Sequence, residues 1–118
     1  MRETFEKILH LTEEEFSDIL KTKPAITGMK LRIYLIDGSL LDVYYHPTGK
    51  KYSFHWQKKV ESIRINTAPH HKNIISYPRH MHIGQRIKAD EITDVNLSPE
   101  ENLRRVLTYI KAHLGTKE

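Results

Sequence analysis

Between Tyr52 and Gly84 the chain gathers five histidines, His55, His70, His71, His80 and His82, in segments reading YSFHWQ, RINTAPHH and YPRHMHIG. Imidazole exchanges protons near neutral pH and is also the commonest metal ligand, so this density points to proton transfer or to metal binding. The charge around these residues is uneven. From His46 to Lys88 there are nine Lys or Arg against a single acid, Glu61, a surplus of +8 inside a chain whose net charge is +4. A basic middle between mildly acidic ends suits a polyanionic partner, for which nucleic acid is the usual choice.

Three uses of the histidines stay open on these residues. His80 and His82 at spacing two, with His70 from a preceding loop, could hold zinc or another divalent ion, although no cysteine assists. Metal-free RNA cleavage needs one histidine to deprotonate the 2′-hydroxyl and a second to protonate the leaving oxygen. A cation such as Arg64, Arg79 or a lysine would take up the phosphoryl charge. The third use is a groove that binds nucleic acid without catalysing anything, for which basic and aromatic residues suffice. The cleavage reading makes all five histidines candidate catalytic residues with no cofactor. It makes Tyr52, Gln57, Lys58, Lys59, Arg64 and Arg79 the expected substrate contacts. The chain has no cysteine, phosphate-cradling glycine loop, serine-nucleophile context or HExxH helix, which excludes disulfides, thiolate catalysis and the familiar NTPase and metalloprotease patterns.

The elements that must position these groups are partly readable. Phe5, Ile8, Leu9, Phe16, Ile19 and Leu20 recur at helical steps, predicting helix over residues 3 to 22. Thr12 followed by Glu15 looks like a capping box, so a break into two helices is expected near His10 and Leu11. From Met29 the period becomes two: Leu31, Ile33 and Leu35, an Asp37-Gly38 turn, then Leu41, Val43 and Tyr45. Strands at Tyr52 to Gln57 and Val60 to Ile65 would complete a four-stranded antiparallel meander. Alternation sends Tyr52, Phe54 and Trp56 inward and His55 and Gln57 outward. Pro69 places His70 and His71 on a loop, and Arg79 to Gly84 reads as a short strand with His80 and His82 on one side. Ser98-Pro99-Glu100-Glu101 announces a C-terminal helix with its stripe at Leu103, Val106, Leu107, Ile110 and Leu114. The expectation is one α+β domain over residues 1–118, an antiparallel sheet with N-terminal helices and a C-terminal helix packed on it. Nothing in the sequence reads as a signal peptide or membrane span, so a cytoplasmic protein with no membrane contact is expected.

The succession Tyr52-Ser53-Phe54-His55-Trp56-Gln57, then Arg64 followed by Ala68-Pro69-His70-His71, then Tyr77-Pro78-x-His80-x-His82-x-Gly84, resembles the TumE-like toxins of prokaryotic toxin–antitoxin modules. The likeness extends from about Leu31 through the helical C-terminus. It departs at Asn66-Thr67, where Asp-Asn would be expected, and at Arg79, where a further histidine is common. The resemblance implies a toxin whose partner is a cognate helix-turn-helix antitoxin. It singles out His55, Trp56, Gln57, Arg64, His70, His71, His80 and His82. RNA as the target follows from charge and histidines rather than from the resemblance, and a homodimer stays among the open arrangements.

Overall fold

The computed structural model describes residues 2–68 and 74–115. Helix α1 spans Arg2–Glu15 and buries Phe5, Ile8, Leu11 and Thr12, one stripe at three- and four-residue steps. The break expected near His10 and Leu11 does not occur. Thr12 lies on the buried stripe, and its hydroxyl donates to the Ile8 carbonyl (2.7 Å), so a residue that could cap a new helix back-bonds within the existing one. Glu15, the other half of the supposed capping box, instead accepts two hydrogen bonds of 2.8 Å from Arg104. The helix ends there, and a 3-10 turn, Ser17–Ile19, follows in place of helix to residue 22.

Seven antiparallel strands then pair in chain order among the described residues: β1 (Ala25–Thr27), β2 (Lys30–Tyr34), β3 (Leu40–Tyr45), β4 (Tyr52–Gln57), β5 (Ile63–Asn66), β6 (His80–Ile83) and β7 (Arg86–Lys88). The expected meander is β2 to β5, except that its fourth strand starts at Ile63 and leaves Val60 exposed outside the sheet, and the short histidine strand is β6. The Asp37-Gly38 hairpin is present, with Gly38 at φ 89° and the Leu35 N–H bonded to the Ser39 carbonyl at 2.9 Å. That positive φ strains any side chain but is open to glycine. The sequence gives no period-two signal for β1 or β7. Each has three residues, none of them buried, and each is held by backbone pairing to a single neighbour.

Helix α2 (Pro99–Ala112) starts where expected, with the Ser98 side chain accepting from the Glu101 N–H. Its Leu103, Val106, Leu107 and Ile110 join Phe5 and Ile8 of α1 and the inward residues of the sheet, Leu31, Ile33, Leu41, Val43, Phe54, Trp56, Ile63, Ile65 and Met81, in one buried cluster. The strand period of two therefore gives every strand crossing the sheet an opposite, outward side chain. On β4 that side carries His55 and Gln57, as expected.

Candidate functional site

Register decides which outward side chains meet. Arg32 pairs with Asp42, Asp42 with His55, His55 with Arg64, Arg64 with His82 and His82 with Ile87, one continuous row across six strands. Directly opposed residues have Cβ atoms about 4.5–5.5 Å apart, so Arg64 has an imidazole on either side. His55, Ser62, Arg64, His82 and Gly84 line a surface cavity of about 360 Å³. His55 and His82 are half-buried and Arg64 is exposed.

Arg64 Nη2 lies 3.2 Å from His55 Nδ1. A guanidinium only donates, so Nδ1 accepts and the neutral ring carries its proton on Nε2. Burial lowers the His55 pKa below its ordinary value, and Arg64 and Lys30 lower it further against the opposing pull of Asp42. His55 is thereby held neutral at neutral pH. The unfolded chain, with an ordinary histidine value of about 6.5, binds more protons, so this contribution to stability is present above that pH and is lost as pH falls through the lower folded value. His55→Gln keeps an acceptor for Arg64 but does not titrate. Urea unfolding should therefore show wild-type stability dropping relative to this variant as pH is lowered below about 6.5. Parallel pH profiles would contradict the assignment.

Asp42, absent from the sequence-derived candidates, anchors the other end of the row. It takes a bidentate pair from Arg32 (2.8 and 2.9 Å) and a bond from Gln57 Nε2 (2.8 Å), with Lys30 at 3.9 Å. Burial alone would raise its pKa, but Arg32, Lys30 and Gln57 more than offset this and hold it below the usual carboxylate range. The available signal was its place between Leu41 and Val43, which put it outward; facing His55 required the register.

The other expected residues are distributed as follows. His80 shares the outward side of β6 with His82 but is buried, its Nδ1 3.3 Å from the Pro78 carbonyl and its ring edge-on to His82 with centroids 4.8 Å apart. His70 and His71 lie outside the described residues, and with them lies the expected arrangement of His70 with His80 and His82 around a metal. Among the described residues no three His, Asp or Glu side chains gather as a metal site.

Tyr52 and Arg79, expected to touch substrate, make their side-chain hydrogen bonds away from the His55–Arg64–His82 row. The Tyr52 ring lies in the core, its hydroxyl 2.7 Å from Thr93 Oγ1 and its pKa pushed up to about 12 by burial. Arg79 Nη1 donates to the Asp90 carboxylate (3.2 Å), to the Asp90 carbonyl (3.1 Å) and to the Thr93 carbonyl. Lys58 places its ammonium 4.4 Å from the Trp56 ring centroid. With Lys59 and Gln57 it lines a second cavity, beside the Asp37 turn.

No helix among the described residues is long and apolar enough to cross a membrane. No curated protein and no solved structure matches the chain. The family model described as Toxin TumE matches residues 3–114, which takes in both helices, all seven strands and the His55–Arg64–His82 row, and the chain belongs to this toxin family.

Proposed function

We propose that this toxin cleaves cellular RNA, with a phosphodiester seated at Arg64 between His55 and His82. The observation that carries the reading is the row itself, two imidazoles flanking one guanidinium at an open cavity on a basic segment. In the free protein Arg64 occupies the His55 Nδ1 lone pair. A bound phosphate draws the guanidinium toward its oxygens, releasing Nδ1 to take the proton of the 2′-hydroxyl. The 2′-oxygen then attacks phosphorus, the bond to the 5′-oxygen breaks, and His82 supplies the proton to that leaving oxygen. The products are a 2′,3′-cyclic phosphate and a 5′-hydroxyl. Arg64 stabilises the charge that grows on the phosphoryl oxygens. His80 backs the His82 ring, and His70 and His71 remain further candidates for the same chemistry. The partner we propose is the cognate helix-turn-helix antitoxin.

In this scheme the acid and the base are side chains. Purified protein should cleave a single-stranded oligoribonucleotide after exhaustive chelation and leave cyclic phosphate ends, while the 2′-deoxy oligonucleotide stays intact. Activity lost to chelator and restored by zinc or manganese would replace this reading with a metal-dependent one. Binding without any cleavage would leave a nucleic-acid-binding module.

A further inference from the structure

Next to the histidine row runs a second outward row, offset by two residues on each strand and therefore by about 6.6–6.8 Å. Its register is Lys30, Tyr44, Ser53, Asn66 and His80. A cavity of about 290 Å³ opens there, lined by Tyr44, Lys51, Ser53 and Asn66 together with residues 52, 67 and 68. Tyr44 is 36% exposed, unlike Tyr45 and Tyr52 beside it in the sheet, which are buried. Asn66 Oδ1 accepts from the Ala68 N–H at 3.0 Å, which fixes the orientation of the amide. No acid is among the lining residues.

From these features we infer that the cavity at Tyr44 is a nucleobase subsite, in which one base of single-stranded RNA stacks on the Tyr44 ring. Asn66 Nδ2 and the Ser53 hydroxyl meet the polar edge of the base, and Lys51 meets an adjoining phosphate. A flat aromatic face beside a fixed amide donor and a cation matches a base attached to a phosphodiester, and stacking tolerates any base because each has a π-face. Tyr44 stands two strands across and one row along from Arg64, roughly 12 Å at sheet spacings, so a base held there fixes which nearby linkage is presented to the histidines. This inference rests on the RNA reading above and adds to it the residues that grip the base.

The test is binding rather than cleavage. A short single-stranded RNA with 2′-O-methyl riboses cannot undergo the proposed reaction, and its abasic counterpart keeps the phosphates without the bases. Fluorescence anisotropy of both would be measured with wild type, Tyr44→Phe and Tyr44→Leu, each checked for folding by its thermal transition. Tyr44→Leu should bind the base-bearing strand about fivefold or more weakly while binding the abasic strand as wild type does, and Tyr44→Phe should match wild type on both. Wild type that binds neither strand would defeat the RNA reading and the subsite together. Folded Tyr44→Leu that matches wild type on the base-bearing strand would overturn the subsite alone. So would a loss of antitoxin pairing with RNA binding unchanged, since Tyr44 would then belong to a protein interface.

Discussion

Replacing His82 or His55 with Ala should slow RNA cleavage by about a hundredfold to ten-thousandfold, the range over which a positioned acid or base acts. RNA affinity should stay within about threefold. Binding to a polyanion is dominated by phosphate neutralisation, and one ring, neutral at His55 and carrying a single transferable proton at His82, contributes little of that beside the +8 surplus of residues 46 to 88. The two rates are informative in different ways. His55→Ala removes the acceptor that holds Arg64 at 3.2 Å, so the guanidinium remains available to phosphate and affinity is preserved while the base is gone. His82→Ala removes the proton donor and leaves His55 and Arg64 paired. Both side chains lie on the outward side of the sheet and are only half-buried, so neither truncation opens a cavity in the core. Single-turnover cleavage, anisotropy and a thermal transition on each variant decide the matter. Rates within a few-fold of wild type for both would reject histidine catalysis at this row.

The largest effect on stability should come from Asp90→Ala, with a loss of about 3–5 kcal/mol, the usual consequence of removing one partner from a buried ion pair. The Asp90 side chain is fully buried, and that of Arg79 is 18% exposed. Besides Arg79, the carboxylate accepts from the Ile92 N–H (2.8 Å), the Thr93 N–H (3.1 Å) and the Thr93 hydroxyl. Because Thr93 Oγ1 gives its proton to Asp90, the Tyr52 hydroxyl must donate to Thr93, so a chain of hydrogen bonds runs from strand β4 to this carboxylate. Ser76 closes the network, donating to the Arg79 carbonyl and accepting from the Asp90 N–H. Truncating Asp90 strands a guanidinium and three donors in a site largely closed to water. The melting temperature should fall by roughly 10–20 °C. The double replacement Asp90→Asn with Arg79→Met, which removes both charges, should be milder than Asp90→Ala, since no unpaired charge is left behind. A loss below about 1 kcal/mol in Asp90→Ala would mean that the pair is exposed in solution.

Much of this molecule is local enough to be read along the chain. The Asp37-Gly38 hairpin, the inward Tyr52, Phe54 and Trp56, the outward His55 and Gln57, and the Ser98 cap of the second helix depend on residues a few positions apart. Turn chemistry, strand alternation and capping act at that range. The motif that suggests a toxin is likewise a matter of residue order, and the family match agrees with it. What the tertiary structure decided was everything that depends on partners distant in the chain. Thr12 followed by Glu15 spells a capping box, but burial of Thr12 and the pull of Arg104 on Glu15 turn it into helix interior. Arg79 counts as one more basic residue until Asp90, eleven positions later, takes its guanidinium. His55, Arg64 and His82 are ordinary members of a basic segment in the sequence. They become a site because β4, β5 and β6 pair in one register, and a slip of one residue in any of these ladders would turn a member of the row toward the core.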